Sequence, residues 1–364
     1  MSLLSTFWQR IQRSLFPDLE ECLGPLTERQ KKLAAVLELV LIEALVPEPV
    51  HGLPGRPPED RQAMARAFVA KMVYNLPTTE TLIEQLKGDR NLRQICGWEM
   101  RQEVPSAASF SRVFAEFSRT ALPAKVHAAL IERIESPRLV GHLSRDATAI
   151  VGREKPVRKK KPVERPRRKR GRPRKGEERA PMEPSRLERQ VAGMSLDAML
   201  SDLPKVCDVG SKKNSKGHIE SWIGYKLHVD WADGEIPVSR VLTSASLHDS
   251  QVAIPLAVQS AARVTNLYDL MDAAYDALQI KGHSRSLGHI PLIDPQTRGG
   301  KKIEMEPASA LRYNERTTAE RGFSLLKDNR GGSMVRVRGH AKVFAHLMFG
   351  ILAITADQLL RLVQ

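Results

Sequence analysis

Cysteine is scarce, at three in 364 residues. Cys22, Cys96 and Cys207 are far apart, odd in number and form no CxxC pair, so the chain has no disulfide framework to fold around. A reducing, cytoplasmic setting fits this usage. Long apolar runs are also missing. The longest, Val343 to Thr355, spans 13 residues and includes His346. That is too short to cross a bilayer and long enough for a buried helix. The run MSLLSTFWQRIQRSLF places Arg10 and Arg13 inside any apolar stretch, which argues against a secretory signal. No internal repeat of roughly 20–50 residues is visible. Acidic charge falls short of basic charge, 42 Asp and Glu against 57 Lys and Arg, for a net +15. A polyanionic partner is the expectation.

The residues that are present suffice for a folded protein. Hydrophobic residues make up 41% of the chain, which argues against wholesale disorder. The length suggests two or three domains at about 150 residues each. The basic excess is local: residues 151–180 hold 15 Lys and Arg against 4 Asp and Glu, so 11 of the 15 net charges lie there.

Residues 1–135 read as an all-α N-terminal domain of about five or six helices. Leu33, Val36, Leu37, Val40, Leu41 and Leu45 form a one-sided stripe at helical spacing over 28–45. Further helices are predicted over 61–74, 79–86, 106–117 and 123–134, the third of these five opened by Thr78 and Thr79 after Pro77. From 136 the pattern changes. Strands are predicted over 139–150, 221–231 and 236–243, the last two joined by a hairpin-like Ala232-Asp233-Gly234-Glu235. A helix over 248–264 follows, with Ser246 and Asp249 at capping-box spacing. A short strand over 267–271, a helix near 277–282, a strand over 289–293 and helices over 313–327 and 339–362 complete the chain. This is an α/β order with an antiparallel three-strand start, as in a ribonuclease-H-like mixed sheet flanked by helices. The second domain, 136–364, is interrupted by a basic insertion at 151–215, predicted to be disordered without a partner.

Within the insertion, RRKRGRPRK at 167–175 resembles an AT-hook. Pro173 keeps the chain extended and Gly171 lets it lie on a groove floor. Arg170 and Arg172 can then enter the narrow minor groove of A·T-rich DNA, with Arg174 a further DNA-binding candidate. A solvated charge run is the plainer alternative. A second Gly55-Arg56-Pro57 lacks basic flanks and reads as a loop.

The predicted helix from Tyr313 carries the densest chemistry. Tyr313, Arg316, Glu320 and Lys327 fall at offsets 0, 3, 7 and 14. At about 100° per residue they share one stripe roughly 60° wide, beside an apolar face of Ala319, Gly322, Phe323 and Leu326. A carboxylate there can hold a divalent metal while the cations and the phenol grip phosphate oxygens. An exposed helix with an ordinary Arg316–Glu320 pair is the alternative. Two more acids change the weighing. Asp146 lies inside the first strand and Asp272 where LYDLM ends; such carboxylates cost stability unless paired or metal-bound. Two Asp and a Glu at one sheet edge form an oxygen-rich site suited to two Mg²⁺ ions.

These residues resemble the DDE transposases of bacterial insertion sequences, those with the Tyr-Arg-Glu-Lys signature. YNERTTAERGFSLLK (313–327) meets Y-x2-R-x3-E-x6-K in full, and DAAYDA, GYK at 224–226 and LHDS at 247–250 add to the likeness. GRPP (55–58), NLP (75–77) and PSAASFSRV (105–113) resemble the helical domain preceding such cores. The resemblance implies Asp146, Asp272 and Glu320 as catalytic metal ligands for two Mg²⁺, with Mn²⁺ able to substitute. It implies Tyr313, Arg316 and Lys327 as contacts to the DNA backbone near the scissile phosphate. Lys226 is a further DNA-contact candidate, with strand packing as its default. The implied partners are double-stranded DNA, as terminal inverted repeats and target, and a second copy of the chain; the setting is the bacterial cytoplasm and nucleoid.

Other acids read as structural: Asp276 as a helix cap with Gln279, Asp269 on the opposite face from Asp272, Asp249 at a helix start, Asp230 and Asp233 in a turn. Asp249 is the substitute should Asp272 fail. His218 and His228 lack metal spacing. Two function classes follow. One is an enzyme that cuts and joins DNA ends. The other is a catalytically inactive AT-rich-DNA binder derived from such an enzyme.

Overall fold

The computed structural model describes residues 3–47, 59–135, 139–157, 183–213, 217–295 and 304–363. The helices of the first part are α1 (Leu3–Arg10), α2 (Phe16–Leu23), α3 (Glu28–Val40), α4 (Arg61–Val73), α5 (Thr79–Gly88), α6 (Arg90–Cys96), α7 (Ala107–Arg119) and α8 (Leu122–Glu135). Side-chain caps set their starts. Thr27 and Gln30 form a reciprocal capping box at α3, and Asp60, Thr78, Asp89 and Ser106 cap α4, α5, α6 and α7. The α3 stripe ends early because Leu41 turns left-handed (φ 50°), and 42–45 is a short 3₁₀ turn. The helices at 3–23 join through a π-helical turn over 11–15, a stretch the apolar spacing did not mark.

The second part has strands β1 (Leu139–Val151), β2 (Asp208–Lys213), β3 (Ile219–Ala232), β4 (Ile236–Ser244), β5 (Thr265–Met271) and β6 (Ile290–Ile293). Its helices are α9 (Arg186–Val191), α10 (Leu196–Asp202), α11 (Ala253–Ala261), α12 (Leu278–Ser286), α13 (Pro307–Tyr313), α14 (Thr317–Asn329) and α15 (His340–Arg361). The sheet runs β2-β3-β1-β5-β6, with β4 also on β3. β1 is central, antiparallel to β3 and parallel to β5. This is the ribonuclease-H-like mixed sheet in an α/β chain with a helical N-terminal region.

Two expectations need correction, and a third lies outside the described residues. The stretch 152–215 is not disordered throughout: α9, α10 and β2 occupy 186–213, with β2 paired to β3 and Leu187 and Met199 buried in a satellite core. Their apolar residues are few but well placed. The AT-hook-like 167–175, with Arg170, Gly171, Arg172, Pro173 and Arg174, lies outside the described residues, as does Gly55-Arg56-Pro57. Residues 248–264 open with a 3₁₀ turn over 249–252 capped by His248, so Ser246 and Asp249 form no capping box.

α15 unites the two parts. Its 22 residues are long and apolar enough to span a membrane, yet its most apolar window is 94% buried inside the protein. Phe349 packs on Phe68 and Phe114 of the N-terminal helices, while Leu347, Met348 and Ile351 join the core under the sheet. Burial all round the helix explains why its apolar run has no polar face.

Candidate active site at the ends of β1 and β5

Alternation along β1 sends successive side chains to opposite faces. Arg145 points into one face and meets Asp230 of β3 in a two-pronged pair at 2.8 Å and 2.8 Å, with 2% and 0% of each side chain exposed. Asp230 also accepts from Ser260 at 2.6 Å. Asp230 is therefore a buried strand residue and not part of a turn. Asp269 lies on the same face as Arg145, taking hydrogen bonds from Ser284 (2.5 Å), Asn266 (3.1 Å) and the His289 ring (3.2 Å). The sheet is pinned from beneath by these buried, mutually satisfied charges.

Asp146 points to the other face, opposite Val229. Arg145 pairs with Met271, the last residue of β5, so Asp272 follows at the strand end beside Asp146. Asp272 caps the next short turn through the Ala274 amide at 3.0 Å. α14 brings Glu320 over this edge. Its seat is tight: a Cβ on Gly322 would lie 2.5 Å from the Trp231 ring, and Phe323 meets that ring edge-on at 5.3 Å. Arg321 pairs with Glu235 of the β3–β4 hairpin at 2.5 Å.

The helix predicted as one piece from Tyr313 is built in three. α13 ends at Tyr313, 314–316 is a 3₁₀ turn, and α14 begins at Thr317. The chain stays right-handed through the join, so Tyr313 and Arg316 still face the carboxylates. Arg316 sits between two of them, 3.4 Å from Asp146 and 3.0 Å from Glu320. Ser144 fastens the turn to β1 through the Glu315 carbonyl at 3.3 Å.

Electrostatics mark the same spot. Burial lifts the Asp146 carboxyl to about 6, with Asp272 and Asp249 adding repulsion and Arg316 opposing it. Asp272 is raised by burial and by Asp249. Tyr313 is pushed up to about 12 by burial, with Asp294, Asp272 and Asp146 contributing. Glu320 is the most open of the acids, 61% exposed. Lys327, farther along α14, is half-buried, and its ammonium is depressed by burial and by Lys212 of β2.

Three further residues take defined places here. Lys226, the DNA-contact candidate with strand packing as its default, binds its ammonium to Asp249 (2.9 Å) and the Leu247 carbonyl (2.9 Å), which holds Asp249 in place. Asp249 is more than a helix-start residue, because its charge reaches Asp146, Asp272 and the buried Tyr275. The HDS tripeptide after β4 was the sequence signal for it. Asp276 pairs with Lys281 at 2.5 Å and does not cap α12, whose N-cap is Ala277.

Residues 192–356 match the family model of a transposase DDE domain, and residues 18–116 match that of a transposase domain (DUF772). Over these residues the chain is similar to transposases. No curated protein and no solved structure matches it. Asp272, Tyr313, Arg316, Glu320 and Lys327 fall within the matched DDE range, whereas Asp146 lies outside both matches. β1 nevertheless occupies the centre of the sheet whose other strands fall within the DDE match.

The donor set is all oxygen, which suits a hard divalent cation. A cation held there would relieve the mutual repulsion of Asp146 and Asp272. As they stand with Arg316 between them, no three His, Cys, Asp or Glu side chains among the described residues gather closely enough to hold a metal ion.

Proposed function

We propose that this DDE transposase cleaves and joins DNA ends at terminal inverted repeats, with Asp146, Asp272 and Glu320 as the metal-holding carboxylates. The observation that carries the reading is the meeting of β1, the end of β5 and α14 at one edge, where Arg316 spans Asp146 and Glu320. Two Mg²⁺ ions held by these oxygens would supply the Lewis acidity for in-line displacement at phosphorus, a role Mn²⁺ can share.

The chain's own residues do the rest. Arg316 leaves Asp146 and turns its planar fork to a backbone phosphate, which frees the carboxylate. Tyr313, kept protonated by burial, donates its hydroxyl to a phosphate oxygen. Lys327 extends the grip along the strand. Asp249, fixed by Lys226, adds negative charge beside Asp272 and strengthens the hold on cations. In cleavage, water oxygen bonds to phosphorus as the P–O3′ bond breaks and a 3′-hydroxyl leaves; in joining, that 3′-oxygen gives up its proton and bonds to a target phosphorus as the target's own P–O3′ bond breaks, and the proton ends on the released target 3′-hydroxyl. The AT-hook-like segment supplies affinity for A·T-rich DNA, and a second copy of the chain pairs the two ends.

A donor plasmid bearing the gene's own flanking sequences, incubated with protein and Mg²⁺, tests this. Wild type is expected to release and join the ends, and Glu320→Gln to bind them without cutting. Binding by both with cutting by neither would favour the inactive DNA-binding alternative.

A further inference from the structure

A second cluster of cations lies away from the carboxylates. A cavity of about 410 Å³ opens between α4, α5, α7 and the segment after α14. Lys71 lines it from α4, with Arg153 just past β1 and Arg336 after α14. Glu80 is the one carboxylate in the lining.

Lys71 is the unusual member. It is 6% exposed, and among the described residues it has no hydrogen bond or ion pair. Burial, with Arg336 nearby, depresses its ammonium to about 8, and the Glu80 carboxylate opposes the shift without reaching ion-pair distance. A buried lysine without a partner is costly, and the usual remedies are a counter-charge or loss of the proton. Arg153 and Arg336 are exposed at the rim. The start of α5 faces the same space, with Thr78 and Thr79 in the lining. Thr78 Oγ takes the Thr81 amide and the Thr78 carbonyl takes the Leu82 amide, so the Thr79 and Glu80 amides of this ten-residue helix have no partner within it. Cations at floor and rim, with unfilled amides on one wall, are the chemistry of a tetrahedral oxyanion.

We propose that this cavity is a phosphate-binding site, and that it seats a backbone phosphate of bound DNA away from the reacting one. The DNA assignment rests on the proposed transposase reading; the oxyanion chemistry does not. Position favours DNA over a free phosphate. Glu320 and Asn329 stand at opposite ends of α14, roughly 14 Å apart along its axis at 1.5 Å per residue. The far end of α14 lies against α4, where Asn75 donates to the Asp328 carbonyl at 2.9 Å and a Cβ on Gly331 would stand 3.3 Å from Met72, the neighbour of Lys71. A strand gripped at Arg316 and Lys327 is thus carried toward Lys71.

The test uses the full chain, inorganic phosphate and an end-sequence duplex, with Lys71→Met and Arg336→Ala beside wild type. Phosphate is expected to raise the melting temperature of wild type but not of Lys71→Met. Lys71→Met, which deletes a buried unpaired charge, should itself fold at least as stably as wild type. Its duplex affinity should fall several-fold, with the slope of log affinity against log salt reduced by about one. Arg336→Ala should weaken both responses. A phosphate response lost in Lys71→Met with an unchanged duplex salt slope would overturn the DNA assignment in favour of a free phosphate. No phosphate response in wild type would overturn the site itself. Because every readout is binding, these outcomes are separate from any failure of strand cleavage.

Discussion

The guanidinium of Arg316 and the carboxylate of Asp146 stand 3.4 Å apart across 170 residues of sequence. The contact joins the turn before α14 to the central strand and partly offsets the charge that burial makes costly. Arg316→Ala is expected to push the Asp146 carboxyl above its present value of about 6. It should also reduce DNA affinity and cleavage together. Arg316→Lys should recover part of the affinity, because a single ammonium cannot span two groups as a guanidinium does. Carboxyl-carbon NMR titration and duplex binding check both statements.

Asp146 should weaken the fold in a defined pH window. Its carboxyl is raised from 3.8 to about 6 in the folded protein. A raised acid stabilises the fold below its unfolded value, and this contribution is lost as pH rises through the folded value. The loss therefore runs from near pH 4 to above pH 6. Asp146→Asn removes it. The variant should be more stable than wild type at pH 7 by on the order of 1 kcal/mol, with the gap closing toward pH 4. Denaturant titrations at the two pH values decide it.

Gly322 presents a test of sign. Gly to Ala in an exposed helix interior usually gains about 1 kcal/mol. Here the new Cβ would lie 2.5 Å from the Trp231 ring, against a side chain that is fully buried. The overpacking cost of about 1–3 kcal/mol should win. Gly322→Ala is expected to melt lower than wild type and, by lifting Glu320 from the sheet edge, to cut DNA more slowly.

The Arg145–Asp230 pair should matter most when half of it is removed. Arg145→Met leaves Asp230 charged and buried, a loss of about 3–5 kcal/mol. Asp230 keeps its Ser260 bond, so the smaller figure is expected. Chemical denaturation measures it directly.

The fold was legible wherever periodicity and caps agreed. Thr78, Ser106 and the Ala232–Glu235 turn mark element ends in the sequence and in the structure. The acids of the candidate site were visible as charges in otherwise apolar surroundings. Asp230 was misplaced because its partner, Arg145, lies 85 residues away. Nothing local reveals such a pair, and an Asp near a turn looks like a turn residue. β2 was missed for a related reason, since DVGSKK carries little apolar signal and holds by pairing with β3. The break at 314–316 was invisible because a 3₁₀ turn inside a helical run changes hydrogen bonding but not side-chain pattern.

The central claim is that Asp146, Asp272 and Glu320 act through shared metal, and a change of ligand softness tests it most directly. Asp146→Cys, Asp272→Cys and Glu320→Cys are each assayed for strand cleavage of an end-sequence duplex in Mg²⁺ and in Mn²⁺. Thiolate binds Mg²⁺ poorly and Mn²⁺ better. The account predicts cleavage lost in Mg²⁺ and at least partly regained in Mn²⁺ for the residues that hold metal. Cysteine variants that cut in Mg²⁺ as well as wild type would contradict it.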